Sequence, residues 1–346
     1  GGLVSGIFII GILIGRLGTG RIIEDVGSRR VLIVGTMFFI ITSALYLAAI
    51  NLPLLIIIRF LHGFAFGVAG TATGTIAAQI IPHGRHGEGI GYYSMSQILA
   101  TALGPYLGIV LSQRVNFTMI FLIASIVAAI SFAISFVVSE PTHKAPKHDQ
   151  VKAVKSFQIS NFLEFNAIPI SIIVLIVGFG YSVVLSFISL YSRQLHLEEV
   201  ASFFFLVYAI TVVVSRPFSG RLLDVRGTNF VVYPCLFIFA IGMFLLSQAN
   251  YGITLLLSGA IIGLGYGNFL SCGQAISIKS APPNRFGLAT ATYYMFLDVG
   301  FGTGPYLFGS LVPFTGYRGL YLVIAMVILA TIFLYYFLYR SRVSSE

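Results

Sequence analysis

Long apolar runs broken by short polar turns fill the chain from end to end. They predict helices at about 1–20, 30–50, 53–81, 89–112, 116–139, 168–192, 200–220, 228–249, 252–281, 287–312 and 318–340, eleven in all. Each is close to the roughly 20 residues that a helix needs to cross a bilayer. A segment in lipid must satisfy its backbone internally, and no alternating strands are present to close a barrel, so an all-α membrane protein is expected. One long polar stretch, Glu140 to Asn166, interrupts the pattern. It divides the chain into an N-terminal bundle (1–139), a linker (140–167) and a C-terminal bundle (168–346).

Composition and charge sharpen this picture. Hydrophobic residues make up 57% and charged residues 9%, against about 25% charged in soluble domains, which excludes a soluble fold. The formal charge is +9, and its distribution follows the loops. One set of loops holds fourteen basic residues: Arg21, Arg29, Arg30, Arg85, Lys144, Lys147, Lys152, Lys155, Arg221, Arg226, Lys279, Arg285, Arg340 and Arg342. The alternate loops hold three, Arg114, Arg193 and Arg318, while Arg16, Arg59 and Arg216 lie within or at the edges of helices. This asymmetry predicts a multi-pass cell-membrane protein with its linker and C-terminus in the cytoplasm and Gly1 outside. The basic excess therefore reports topology, so the lipid bilayer is an expected partner and nucleic acid is not. Cys235 and Cys272 fall inside apolar segments and read as small buried residues.

The chain also repeats with an offset of 200 residues. Gly15, Arg16, Gly20, Arg21, Glu24 and Gly27 stand against Ser215, Arg216, Gly220, Arg221, Asp224 and Gly227. Gly63, Gly67, Pro82, Arg85, Gly87 and Tyr93 return as Gly263, Gly267, Pro282, Arg285, Gly287 and Tyr293, and Gly104-Pro105-Tyr106-Leu107 returns intact at Gly304 to Leu307. Matching charges, prolines and glycines are far less common by chance than matching aliphatics. Two pseudo-symmetric helical bundles are expected, the mark of a two-bundle transporter. Helix 168–192 has no mate in the first half, and the offset places that mate before residue 1. A twelve-helix architecture lacking its first helix is therefore the expectation, with eleven spans in this chain.

The segment Gly20-Arg21-Ile22-Ile23-Glu24-Asp25-Val26-Gly27-Ser28-Arg29-Arg30 resembles motif A of the major facilitator superfamily, between that family's second and third helices. The resemblance implies a conformational latch, with Gly20, Glu24, Asp25, Gly27, Arg29 and Arg30 in the first copy and Gly220, Asp224 and Gly227 in the second. Thr228 and Asn229 replace the basic pair in the second copy. Glycines permit close helix approach, an acid can interact with helix dipoles, and basic residues anchor a loop at an anionic leaflet. The plainer reading is a charged turn that obeys topology.

Arg59-Phe60-Leu61-His62-Gly63 resembles the family's motif B, with His62 where glutamine is usual. Ala100 to Ile109 resembles motif C, the mark of the antiporter branch, and Ala100 and Ile109 stand where glycines are usual. Gly104, Pro105, Gly304 and Pro305 are candidate helix kinks. Asp298 is the acid well inside a helix, and an intramembrane carboxyl that can be neutral or charged is what proton coupling requires. Arg59 and His62 are its candidate partners, and the three residues form the expected proton-coupling set. The plainer readings are a snorkelling Arg59 and a structural hydrogen bond for Asp298. Thr71, Gln79, Tyr181, Tyr266, Asn268 and Gln274 are candidate substrate contacts on the cavity-lining helices that the resemblance implies. Each taken alone suits a helix-packing hydrogen bond equally well.

No G-x-x-x-x-G-K-[ST] phosphate loop, Rossmann fingerprint or zinc spacing is present, so neither an enzyme nor a cofactor is expected. Asn116-Phe117-Thr118 fits a glycosylation sequon only weakly. The resemblance is to the drug:proton antiporter branch and implies a monomeric, proton-coupled exporter of small amphipathic organic molecules working by alternating access. Two alternatives stay open: a proton-coupled uptake carrier for a sugar or organic anion, and a non-transporting membrane sensor or scaffold.

Overall fold

The computed structural model describes residues 2–139 and 159–343. Lys144, Lys147, Lys152 and Lys155 of the linker lie outside the described residues. The helices are α1 (Gly2–Val26), α2 (Ser28–Leu45), α3 (Leu52–Ile80), α4 (His86–Arg114), α5 (Phe117–Ser135), α6 (Ile168–Gln194), the single turn α7 (Glu198–Ala201), α8 (Phe204–Arg226), α9 (Thr228–Ser247), α10 (Gly252–Ile262), α11 (Asn268–Lys279), α12 (Phe286–Gly309) and α13 (Val312–Val343). A π turn at Gly263–Gly267 joins α10 and α11 into one rod, so the described residues form eleven long helices. Among the described residues, nine spans are long and apolar enough to cross a membrane. The other two long helices are α4 and α12, whose apolar stretches are diluted by Gly, Ser, Thr and Tyr. Large apolar side chains such as Phe117, Val137, Phe218 and Phe314 stand exposed, which suits hydrocarbon surroundings.

Local sequence explains the breaks. Gly27 ends α1 at φ 96° and Gly227 ends α8 at φ 84°, a left-handed conformation open to glycine at little cost. Asn51 and Asn116 cap α3 and α5, each side-chain oxygen accepting from the backbone amide three residues on. Within α13, Gly316 at φ 63° separates one turn from the long rod that follows.

Packing divides the chain into two compact units. Of the described residues, the first contains α1, α2, α3, α5, the second half of α4, residues 159–168, and Ser277 to Asp298. The second contains the first half of α4, α6 to α10, α11 as far as Ile276, the rest of α12, and α13. In the first unit α1 and α3 approach through glycine. A Cβ at Gly11 or Gly15 would strike the carbonyl oxygen of Phe60 or Phe64, and one at Gly63 or Gly67 would strike that of Phe8 or Ile12. Such backbone-to-backbone contact is the membrane mode of association, where small residues replace the hydrophobic drive. In the second unit α12 meets α6 similarly: a Cβ at Gly300 would reach Leu175 O at 2.6 Å, and one at Gly304 would strike the Ser182 hydroxyl.

Candidate functional site

Close approach of α1 and α3 determines where Arg16 sits. Its amide lies beside Gly67, and its guanidinium Nη1 would be only 3.6 Å from a Cβ at Gly70. Arg16 is 4% exposed, and its Nε donates to Asp298 Oδ2 on α12. Nη1 reaches Thr71 Oγ1 at 3.5 Å, the long limit of a hydrogen bond, while that hydroxyl donates to Gly67 O at 2.8 Å. The guanidinium carbon lies 4.5 Å from the centre of the Tyr294 ring, in cation–π contact. Two charges this buried are tolerable because they are paired, and removing either strands the other.

Asp298 therefore meets Arg16, not Arg59 or His62. Both candidates lie too far along α3: Arg59 is twelve residues before Thr71, or about 18 Å of helix. They form a separate cluster. Tyr46 OH lies 3.1 Å from His62 Nδ1, the Phe39 ring is 4.5 Å from His62, and the Arg59 guanidinium stands 5.6 Å from the rings of Phe8 and Tyr46. Arg16 carried no sequence motif beyond its repeat mate Arg216. One signal was available: Asp298 has Ile98 at its repeat position, so this acid must find a counter-ion outside the repeat logic.

The motif A segment ends against a helix start. Glu24 Oε1 accepts from the backbone amide of Gly287, in the first turn of α12, at 2.8 Å. A Cβ at Gly20 would come within 2.7 Å of Ala291 Cβ on the same helix. The second copy repeats this chemistry at α4. Asp224 Oδ1 and Oδ2 accept from the amides of Gly87 and Glu88, each at 2.9 Å, and a Cβ at Gly220 would come within 2.6 Å of Gly87 O. A carboxylate on the orphan amides of a helix N-terminus gains both hydrogen bonds and the favourable end of the helix dipole. Arg29 donates to Phe136 O at 2.9 Å at the end of α5, while Asp25 and Arg30 are exposed.

The remaining candidates are dispersed. Gln79 Oε1 accepts from Ser28 Oγ at 2.8 Å, tying α3 to α2. Asn268 donates to Ser215 Oγ and accepts from Ser219 Oγ, each at 2.8 Å, tying α11 to α8. Gln274 Oε1 lies 3.4 Å from Ser94 Oγ. Tyr181 stacks on Tyr266 with ring centres 4.0 Å apart, and Tyr208 extends the stack at 5.3 Å. Tyr266 belongs to the π turn, a local unwinding that recurs at functional sites and that the glycine-rich sequence did not disclose. Gly104 is in open space, Pro305 lies inside α12, and the side chain of Pro105 lies outside the described residues. Sequence reasoning also assigned no role to Arg216, which is 1% exposed on α8.

Nine helices long and apolar enough to cross a membrane among the described residues, a buried ion pair and two carboxylate-capped helix ends suit a helical membrane protein. The profile of the Major Facilitator Superfamily matches residues 1–251 and 170–346, and the chain belongs to that family. It is 22% identical over 325 residues to an uncharacterized MFS-type transporter of Methanocaldococcus jannaschii, MJ1560, covering 92% of this chain and 84% of that protein. It is 25% identical over 319 residues to the multidrug resistance protein MdtG of Enterobacter lignolyticus, covering 90% and 75%. The crystal structure of the human organic anion transporter MFSD10 superposes with a TM-score of 0.77 at 16% identity, covering 97% of this chain and 83% of that one, a likeness of fold alone. The chain is thus a multi-pass transporter of a small molecule, from a family of carriers and not of enzymes.

Proposed function

We propose that the protein is a proton-coupled secondary transporter that exports small amphipathic organic molecules across the cell membrane by alternating access of two helical bundles, 1–139 and 168–346. The observation that carries this reading is the buried Arg16–Asp298 pair. Protonation of Asp298 breaks the pair's charge balance and leaves Arg16 as an uncompensated cation in low dielectric, so proton occupancy and conformation become linked. Glu24 and Asp224 act as paired latches on the starts of α12 and α4, with Gly20 and Gly220 permitting the approach. Export is supported by the motif C resemblance and by the multidrug name of the MdtG relative. Tyr181, Tyr266 and Gln274 are the proposed substrate contacts, His62 is a secondary proton-responsive group beside Arg59, and the linker and C-terminus are cytoplasmic. The protein works as a monomer.

A second reading is proton-driven uptake of an organic anion, favoured by the buried guanidinium of Arg16. Flux in proteoliposomes under an imposed pH gradient tests both. Export requires substrate and protons to move in opposite directions and uptake requires the same direction. No coupled flux with any amphipathic cation or organic anion would end both readings and leave a sensor or scaffold.

A further inference from the structure

The two repeat arginines that precede α4 and α12 are used differently. Arg85 bonds its own helix: Nε and Nη2 donate to Glu88 Oε2 at 3.0 and 2.8 Å, on an exposed surface. In the second copy Leu288 replaces Glu88, and its side chain lies under Gly20. Arg285 has no acid one turn on and turns to the segment after the linker. Its Nε lies 2.7 Å from Glu164 Oε2, close though not aligned as a hydrogen bond, and Nη2 donates to Ser160 O at 2.7 Å. Glu164 is 3% exposed. Its amide donates to Thr292 Oγ1 on α12 at 2.9 Å, and its Oε1 accepts from Asn166 N at 3.2 Å. On the other side the Arg21 guanidinium lies 5.0 Å from the centre of the Phe162 ring.

We propose that Glu164, Arg285 and Thr292 form a clamp that fastens residues 159–167 to the first turns of α12 and positions Gly287 for Glu24. The inference rests on reading Glu24 as a latch. A carboxylate as buried as Glu164 is tolerated while its cation and its amide partner stay in place. Movement of the α12 turn away from the segment would strip Glu164 of its partners, so the two parts move as a unit. The linker end and the motif A contact thus close on one helix terminus from two sides. These are positioning residues: they act through the α12 turn and touch no substrate.

Hydrogen–deuterium exchange of the full chain in lipid nanodiscs tests the clamp. Arg285→Ala, at a side chain one-third exposed, and the near-isosteric Thr292→Val are expected to raise exchange about tenfold both in 159–167 and at amides 286–288. A packing role alone would move 159–167 and leave 286–288 unchanged, which would overturn the proposal. Glu24→Gln separates the two ideas. If it raises exchange at 286–288 and Arg285→Ala does not, the clamp fails and the latch stands. If Arg285→Ala raises it and Glu24→Gln does not, the clamp stands and the latch fails.

Discussion

Arg16 and Asp298 are the residues whose chemistry is most constrained by position. Each is held by the other, so the single substitutions Arg16→Gln and Asp298→Asn should each lower stability by about 3 kcal/mol, the scale for breaking a buried pair. The double variant removes both charges and should recover most of that loss, a coupling that thermal melts of the four proteins would measure. Transport should behave otherwise. Asp298→Asn and the double variant are both expected to lose pH-driven flux, because neither retains a carboxyl to protonate. Normal coupling in the double variant would remove the pair from the mechanism.

Between elements, the decisive contacts are made by glycine. A side chain at Gly63 would meet Phe8 O on α1, so Gly63→Ala should cost about 1–3 kcal/mol through overpacking. It should also disturb the Arg16 site, because that site depends on how closely α1 lies on α3. At Gly20 the obstruction is Ala291 on α12, and the expected outcome differs. Gly20→Leu should slow turnover with substrate KM retained, since it hinders the approach of a moving helix end. An unchanged turnover would reduce the motif A segment to a topology signal. These contacts show what one-dimensional reasoning could reach. Gly20 and Glu24 stood out in the chain because their segment repeats with its spacing intact. The helix they would meet did not, since Gly287 is 263 positions away along the chain.

At the scale of the whole molecule, the loop charges make a topological prediction that α9 can test. Arg226 and Asn250 flank this span and are both exposed, whereas the native Cys235 and Cys272 are buried and should react little. An impermeant maleimide should label Asn250→Cys in intact cells and Arg226→Cys only after permeabilisation. The opposite pattern would invert the proposed orientation. Eleven helices, their order and the repeat could be read directly from the chain, because hydrocarbon imposes span length and forbids polar backbone, and both rules act locally. Which charges meet is a different matter. Asp298 finds Arg16 across 282 residues, Arg285 finds Glu164 in the segment after the linker, and Tyr266 enters a π turn that a run of glycines conceals. Such pairings depend on how helices pack, and packing distances are set by which small residues face each other, a property of the assembled bundle that no window of sequence contains.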